Sequence, residues 1–443
     1  MEKAKIFLKD AEEIAFNDDH RQKIAFNISR YDENVVKGKE QFANLDIARE
    51  KAANVKHKIL NDLEKYLIEF EANFEKQGGK VIWAPSAKDA IREILAILKK
   101  HEVGLVLKSK SIISEELETN HHLEKAGIEV LETDLGEYIV QLAGEKPYHI
   151  LTPAMHKSKE DVAKLFHEKF GLPEESAPEE ITAFVRHHLR TMFMKAGAGI
   201  TGANFLVADS GAVCLTENEG NAVMSFSFPK LHIVIAGIEK LIPSLADLHL
   251  FWPLLATHGT GQKMTVYNSI VFGPRHNGEN DGPDEMYVIL LDNGRTSLLK
   301  QVKQRRALSC IRCGACLNAC PVYRSIGGYT YGSVYTGPIG SVITPFTNNF
   351  SSYKHLSYAS SLCGNCTEVC PVKIPLHQYL LDNRHEAVVR NETRVSEKLT
   401  MTIARETLLR RGLLEMTGGK TRGRAMKKLM GKAWGSRRKW PEF

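Results

Sequence analysis

Apolar residues at Val55, Ile59, Leu63, Leu67, Phe70 and Phe74 recur every three or four positions, which sets them on one face of a helix. Residues from about 5 to 77 read as helix, and Gly78-Gly79 supplies a stop. A strandless helical arm must bury its apolar face elsewhere, on the next domain or on a partner subunit. From Lys80 the pattern becomes alternating strand and helix. Strands are expected at Val81–Trp83, Val103–Leu107, Glu129–Leu131, Tyr148–Leu151, His232–Ala236 and Met286–Leu291. Helices are expected from Ser86-Ala-Lys-Asp89, which resembles a capping box, to Lys100, then over Ser114–Ala126, Lys159–Phe170 and Ser244–Thr257. Asp209-Ser210-Gly211 lies between two short apolar runs and reads as a hairpin turn. Such alternation predicts an α/β domain with a mostly parallel sheet and helices on its faces.

After the turn Asp292-Asn293-Gly294 the pattern is helical again. Leu298–Leu308 reads as a basic helix, and further helices are expected over Leu376–Arg390 and Glu397–Leu414. The expected organisation is therefore a helical region over 1–79, an α/β domain over 80–295, a cysteine-rich domain over 296–390 and a basic helical region over 391–443.

Seven of the eight cysteines fall between Cys310 and Cys370. The first run is Cys310-Ile-Arg-Cys313-Gly-Ala-Cys316-Leu-Asn-Ala-Cys320-Pro321, the C-x2-C-x2-C-x3-C-P pattern of bacterial iron–sulfur proteins. The second, Cys363-Gly-Asn-Cys366-Thr-Glu-Val-Cys370-Pro371, is the same run without its first cysteine; Ser360 stands in that place. Short spacers let a loop wrap a cubane and point successive sulfurs inward, while the fourth cysteine of each run reaches the neighbouring cluster. This spacing assigns Cys310, Cys313, Cys316 and Cys370 to a first 4Fe-4S cluster, and Cys320, Cys363 and Cys366 to a second. The second then has one iron without a thiolate. Ser360, solvent or a three-iron core would each account for it, and a four-iron cluster is favoured. Zinc sites follow other spacings, and no secretory signal points to a disulfide-forming compartment. The cysteines therefore point to one-electron transfer in a cytoplasmic protein. Forty-two residues separate Cys320 from Cys363. So long a connection suits the α-helical ferredoxin arrangement more than a compact one.

Composition changes this little. The chain has 443 residues, 43% hydrophobic and 25% charged, ordinary for a soluble protein of about two to three domains. The most apolar region, Leu231–Leu255, is interrupted by Glu239, Lys240, Pro243 and Asp247 and reads as core. The net charge of +6 is concentrated after Arg384. A solvated helical face is the simpler reading of that basic end; an acidic partner or peripheral contact with an anionic membrane is the functional one. Nucleic acid is disfavoured, because no stacking aromatics are interleaved.

Several strings resemble the lactate utilization protein B family, in that family's order: Lys108-Ser109-Lys110, Glu132-Thr-Asp134-Leu-Gly136-Glu137-Tyr138, Thr201-Gly202-Ala203-Asn204-Phe205, Gly278-Glu279-Asn280-Asp281-Gly282-Pro283, Leu291-Asp292-Asn293-Gly294-Arg295, and Tyr335-Thr-Gly337-Pro338-Ile-Gly340. The resemblance implies a lactate utilization (LUD) domain, similar in fold to ribose-phosphate isomerases and coenzyme A transferases, before an α-helical two-cluster ferredoxin domain. It implies the cluster ligands given above, and the family too lacks the first cysteine of the second run. It implies an electron-transfer subunit that oxidises L-lactate to pyruvate together with a cysteine-rich protein and a small LUD-domain protein, handing electrons to an acceptor the sequence does not name. The alternative reading is a small-molecule-binding, isomerase-like module with structural or sensory clusters.

Other candidates carry less. Gly197-Ala-Gly199-Ile-Thr201-Gly202 reads as a loop of unusual backbone geometry, or as a phosphate cradle without the lysine of a P-loop. His258-Gly259-Thr260-Gly261-Gln262 is a weaker phosphate-loop candidate. Asp134, Glu137 and His156 could do acid–base work, although no spacing rule joins them. Asp281, Asp284 and Glu285 read as a solvated loop, Cys214 as packing, and His187-His188 as helix residues pointing different ways. No flavin or nicotinamide fingerprint is present.

Overall fold

The computed structural model describes residues 2–393 and 395–412. Ten strands are present among them: β1 Lys80–Ala84, β2 Leu105–Lys108, β3 Glu129–Glu132, β4 Ala198–Thr201, β5 Phe205–Val207, β6 Ala212–Glu217, β7 Leu231–Gly237, β8 Leu241–Ile242, β9 Tyr267–Val271 and β10 Glu285–Leu291. Six form a wholly parallel sheet in the order β1-β10-β7-β4-β2-β3. The other four form a small sheet, β8-β5-β6-β9, in which Gly211 at φ +71° closes the β5–β6 hairpin.

The parallel sheet is covered on both faces, which is why β7 and β10 read as continuous apolar runs. Along β7, Ile233 and Ile235 pack beneath Ile91, Ile94 and Leu98 of helix Ala87–Lys100. Val234 and Ala236 point the other way, onto Leu67, Phe70 and Phe74 of helix Leu63–Lys76 and onto Leu206 and Val213 of the small sheet. The N-terminal arm, four helices between Glu2 and Lys76, lays its last helix on one face of the sheet and its first against the cysteine domain, where Phe7 meets Tyr331. Its second helix, Asp18–Lys39, crosses helix Leu248–Thr260 closely enough that a Cβ on Gly38 would meet the Gly261 carbonyl oxygen at 2.4 Å.

Several sequence expectations are corrected. Tyr148–Leu151 forms bends, not a strand. Ser114–Ala126 is two short helices, Ile112–Glu116 and Thr119–Lys125, separated where Glu118 takes φ +50°. Leu298–Leu308 is also divided, into a helix over Arg295–Leu299 and a 3-10 turn over Gln304–Ser309. Gly197–Gly202 is neither loop nor phosphate cradle: it contains buried β4, and a Cβ on Gly199 would lie 1.7 Å from the Ser225 carbonyl oxygen. Close approach of backbone, not freedom of φ, explains that glycine. Ser86 Oγ does accept from the Asp89 amide at the start of its helix.

The chain divides after Arg384 into two units. In the second, helix Val395–Leu409 carries no buried residue, and the basic segment from 413 onward lies outside the described residues. Among the described residues no helix is long and apolar enough to cross a membrane.

Candidate metal centres

The two cysteine runs adopt one repeated backbone loop. Arg312 and Leu362, each just before a cysteine, both take the left-handed conformation, at φ 62° and 55°. Gly314 and Gly364, two residues on, take φ 77° and 84° and open four-residue helices, Ala315–Asn318 and Asn365–Glu368. The next cysteine lies on each helix, and the last ends it before Pro321 or Pro371. Proline tolerates that place because it has no amide to satisfy. Backbone amides point at sulfur: Arg312 N–H donates to Cys310 Sγ at 3.4 Å, Tyr323 N–H to Cys320 Sγ at 3.5 Å and Ile374 N–H to Cys370 Sγ at 3.4 Å. Such donors stabilise thiolates and tune the potential of any cluster the sulfurs hold.

The cysteines sort into two groups. Cys310, Cys313, Cys316 and Cys370 line one enclosed cavity whose other walls are largely apolar, among them Ile112, Ile150, Leu317, Ile339 and Ile374. Burial pushes the Cys313 and Cys316 thiols up, and the neighbouring cysteines of the same cavity push them further; burial lifts Cys370 to about 11. Cys320, Cys363 and Cys366 form the other group. Burial raises Cys320 and takes Cys366 to about 11, with the other members of the group adding to both shifts. Cys363 differs: it is exposed, and hydrogen bonds from the Asn365 amide and the Ser361 side chain lower its thiol. Among the described residues, no three His, Cys, Asp or Glu side chains converge on a single metal ion. Four thiols around an apolar cavity suit a multi-iron core instead, whose positive charge makes the thiolates of buried Cys313, Cys316 and Cys370 tolerable beside half-buried Cys310.

The first cavity lies against the carboxyl edge of the parallel sheet, where α/β folds place their sites. Ile112 in its wall follows β2. Glu239 follows β7, Arg295 follows β10, and Glu116 ends the helix after β2. These three form a buried ion network. Arg295 Nη2 donates to Glu116 Oε2 at 2.8 Å and Arg295 Nε to Glu239 Oε2 at 2.7 Å. Arg312, from the cysteine loop, reaches Glu239 Oε1 at 3.4 Å and lies 4.4 Å from the centre of the Tyr335 ring; Tyr335 O–H donates to Glu116 Oε2 at 2.5 Å. Burial alone would raise Glu239, but Arg295 and Arg312 overcome it and hold the carboxyl at about 2. Lys56, from the N-terminal arm, donates to the Glu239 and Leu241 carbonyls, and burial lowers it to about 7. None of these residues was singled out by sequence motif as an ion-pair partner.

Asp134 and Glu137 are neighbours at the start of one helix, and His156 does not join them. Asp134 caps helix Leu135–Leu142 and pairs with Lys110 at 3.0 Å. Glu137 is buried, and burial followed by the Glu132 charge raises its carboxyl well above the ordinary range. His156 pairs with Glu145 at 2.6 Å. His258 is a buried residue within helix Leu248–Thr260, ahead of its terminal Gly261. His188 stacks on Phe184, while His187 faces solvent. Asp284 pairs with Arg275, and Glu285 with Lys80. Cys214 is fully buried, and burial takes its thiol to about 12.

Family models match both halves of this arrangement: the LUD domain over residues 67–291 and a 4Fe-4S dicluster domain over residues 306–374. The fold and the cysteines thus define an α/β LUD domain joined to a domain that carries two 4Fe-4S clusters. The LUD match begins within helix Leu63–Lys76, which packs on the sheet. Lactate utilization protein B of Bacillus cytotoxicus is 45% identical over 370 residues, covering 83% of this chain and 78% of the relative. Lactate utilization protein B of Bacillus cereus is 44% identical, and lactate utilization protein B 2 of Bacillus mycoides 45% identical, over the same shares. This chain belongs to the lactate utilization protein B family. The crystal structure of a DUF162 family protein from Deinococcus radiodurans aligns with 53% of this chain and 98% of its own, at 12% identity and a TM-score of 0.28.

Proposed function

We propose that this chain is the iron–sulfur electron-transfer subunit of a complex that oxidises L-lactate to pyruvate. The observation that carries the reading is the sorting of seven cysteines into one enclosed group and one that opens at the surface, in a chain whose relatives are named for lactate utilization. Cys310, Cys313, Cys316 and Cys370 hold the first cluster, and Cys320, Cys363 and Cys366 the second. Each cluster, when bound, passes one electron at a time, so the two electrons of lactate oxidation move in sequence. The protein's own residues set the conditions. Apolar walls keep water from the first centre, the Glu116–Arg295–Glu239–Arg312 network fixes its charge environment, and the amides at Cys310, Cys320 and Cys370 stabilise thiolate. The hydroxy-acid chemistry belongs to partners, a cysteine-rich protein and a small LUD-domain protein of the same system, working with this chain in the cytoplasm.

The test is electron paramagnetic resonance on the anaerobically purified chain, before and after L-lactate, with and without those two partners. Lactate should reduce the clusters only when the partners are present. Clusters that stay oxidised in the complete mixture would refute the transfer role, and lactate oxidation by the chain alone at the rate of the complex would refute the division of labour. A second reading, a small-molecule-binding module, draws on a cavity of about 510 Å³ at the same sheet edge, lined in part by Lys110, Glu115, Glu137 and His149. Calorimetric titration with small carboxylates and phosphates tests it.

A further inference from the structure

We propose that Ser360 Oγ is an iron ligand of the second cluster, standing where Cys310 stands in the first; this rests on the cysteine assignment proposed above. The two loops share their left-handed positions and the short helix that follows. Cys310, Arg312, Cys313, Gly314 and Cys316 correspond to Ser360, Leu362, Cys363, Gly364 and Cys366, with the same left-handed residues at the second and fourth of these places.

The correspondence extends to the side-chain atom. Arg312 N–H donates to Cys310 Sγ at 3.4 Å, and Leu362 N–H donates to Ser360 Oγ at 3.1 Å. The shorter distance is what oxygen requires in place of sulfur. That amide would stabilise a Ser360 alkoxide, as it stabilises a thiolate at Cys310. Ser360 is partly exposed, so its hydroxyl proton can leave to solvent. Leu362 is also in a conformation that costs an L-residue roughly 1–2 kcal/mol. Arg312, at the same place in the first loop, takes it too.

Solvent is the competing ligand, and Cys363 beside it is exposed. Ser360, however, is tethered three residues from that cysteine and already oriented, so it competes at high effective concentration. Ligation breaks the Ser360 O–H bond and forms one Oγ–iron bond; the proton passes to solvent and no electron changes hands. An alkoxide is a harder donor than a thiolate and favours ferric iron, so the second centre becomes electronically distinct from the first.

The experiment compares the anaerobically reconstituted full chain with its Ser360→Ala, Ser360→Cys, Ser361→Ala and Cys366→Ala variants, by iron content, paramagnetic resonance of the oxidised and dithionite-reduced states, and potentiometry. Ser360→Ala should carry one iron fewer per chain and show a three-iron signal when oxidised. Ser360→Cys should keep the full iron content and raise only the second cluster's potential. The first-cluster signal, unchanged in both, reports that the chain is folded. Loss of the whole second cluster in Ser360→Ala and its recovery in Ser360→Cys supports the proposal equally. It is overturned if Ser360→Ala keeps wild-type iron and spectra, if the wild type is itself three-iron, or if Ser361→Ala produces the loss instead. Cys366→Ala separates the two claims: if it leaves the second signal intact, the cysteine assignment has failed, not merely the serine.

Discussion

The two cysteine groups share one loop and differ in what is packed around it. At the first, the LUD sheet presents its carboxyl edge, so the thiols face isoleucine and leucine side chains and a buried ion network. At the second, Cys320 and Cys366 are buried but Cys363 is at the surface. Ligand geometry is therefore a local property, written into left-handed residues and short helices. Polarity, charge and access are properties of the tertiary environment, and these separate the potentials of clusters with similar ligands. The enclosed group suits an internal relay, and the open one suits exchange with another protein.

The largest test of this contrast removes one thiol from each group. Cys316→Ala should abolish the first cluster and lower the stability of the chain by more than about 4 kcal/mol, the range of a lost metal site. Cys363→Ala should remove second-cluster signals at a smaller cost in stability than Cys316→Ala, because this ligand is exposed where Cys316 is buried. Thermal unfolding with iron analysis measures both, and equal losses would mean that the two environments do not differ as described.

Next in size is the network. Arg295 is 2% exposed and bonds both Glu116 and Glu239, so Arg295→Met leaves two buried carboxylates without their main partner. The expected cost is about 3–5 kcal/mol, with the first-cluster potential altered and the second unchanged. The acid limb should change too. Glu239 is held at about 2 when folded, below its ordinary value of about 4.5. Its pairing therefore stabilises the fold above that ordinary value and is lost as pH falls toward 2. Denaturation measured across that window should show a flatter slope in Arg295→Met than in wild type.

This network also marks where sequence reasoning ended. The helical arm, most strands of the parallel sheet and the two-cluster cysteine motif were legible because each rests on a local signal: a period of three to four, an apolar run, or a fixed spacing. Glu116, Glu239, Arg295 and Arg312 are far apart in sequence and meet only because parallel strands end on one edge; no spacing rule encodes that. The glycines of β4 resemble a loop for a related reason. Gly199 serves a close approach to Ser225, a tertiary demand that looks like a loop signal in one dimension. Tyr148–Leu151 has a strand-like composition, but its groups serve the cysteine domain: Tyr323 O–H donates to the Tyr148 carbonyl at 3.3 Å, and His149 Nε2 bonds Asn318 at 3.1 Å.

A smaller effect, opposite in sign to that of Glu239, is expected at Glu137 on the same sheet edge. Burial and Glu132 raise its carboxyl, so the folded chain retains a proton that the unfolded chain releases. Stability is fullest below the unfolded value and falls as pH rises toward the folded one. Glu137→Gln, a permanently neutral stand-in, should be less sensitive to pH on the neutral side and no more stable than wild type in acid. Unfolding midpoints at two pH values decide it; a variant that loses stability equally at both would show that Glu137 binds its proton alike in the folded and unfolded chains.

The smallest effect is expected at the eighth cysteine, which bounds the contrast between the two groups. Cys214 lies in β6, fully buried, and no other cysteine contributes to its shift; burial alone takes its thiol to about 12. It is thus a small apolar side chain in a packed strand. Cys214→Ala removes one sulfur from the core and should cost about 1 kcal/mol, with iron content, paramagnetic signals and both potentials unchanged. A thiol that only fills space cannot alter a potential. If the variant did shift one, electrostatic coupling would reach from the small sheet into the cysteine domain, and the two environments would not be set by their immediate neighbours alone.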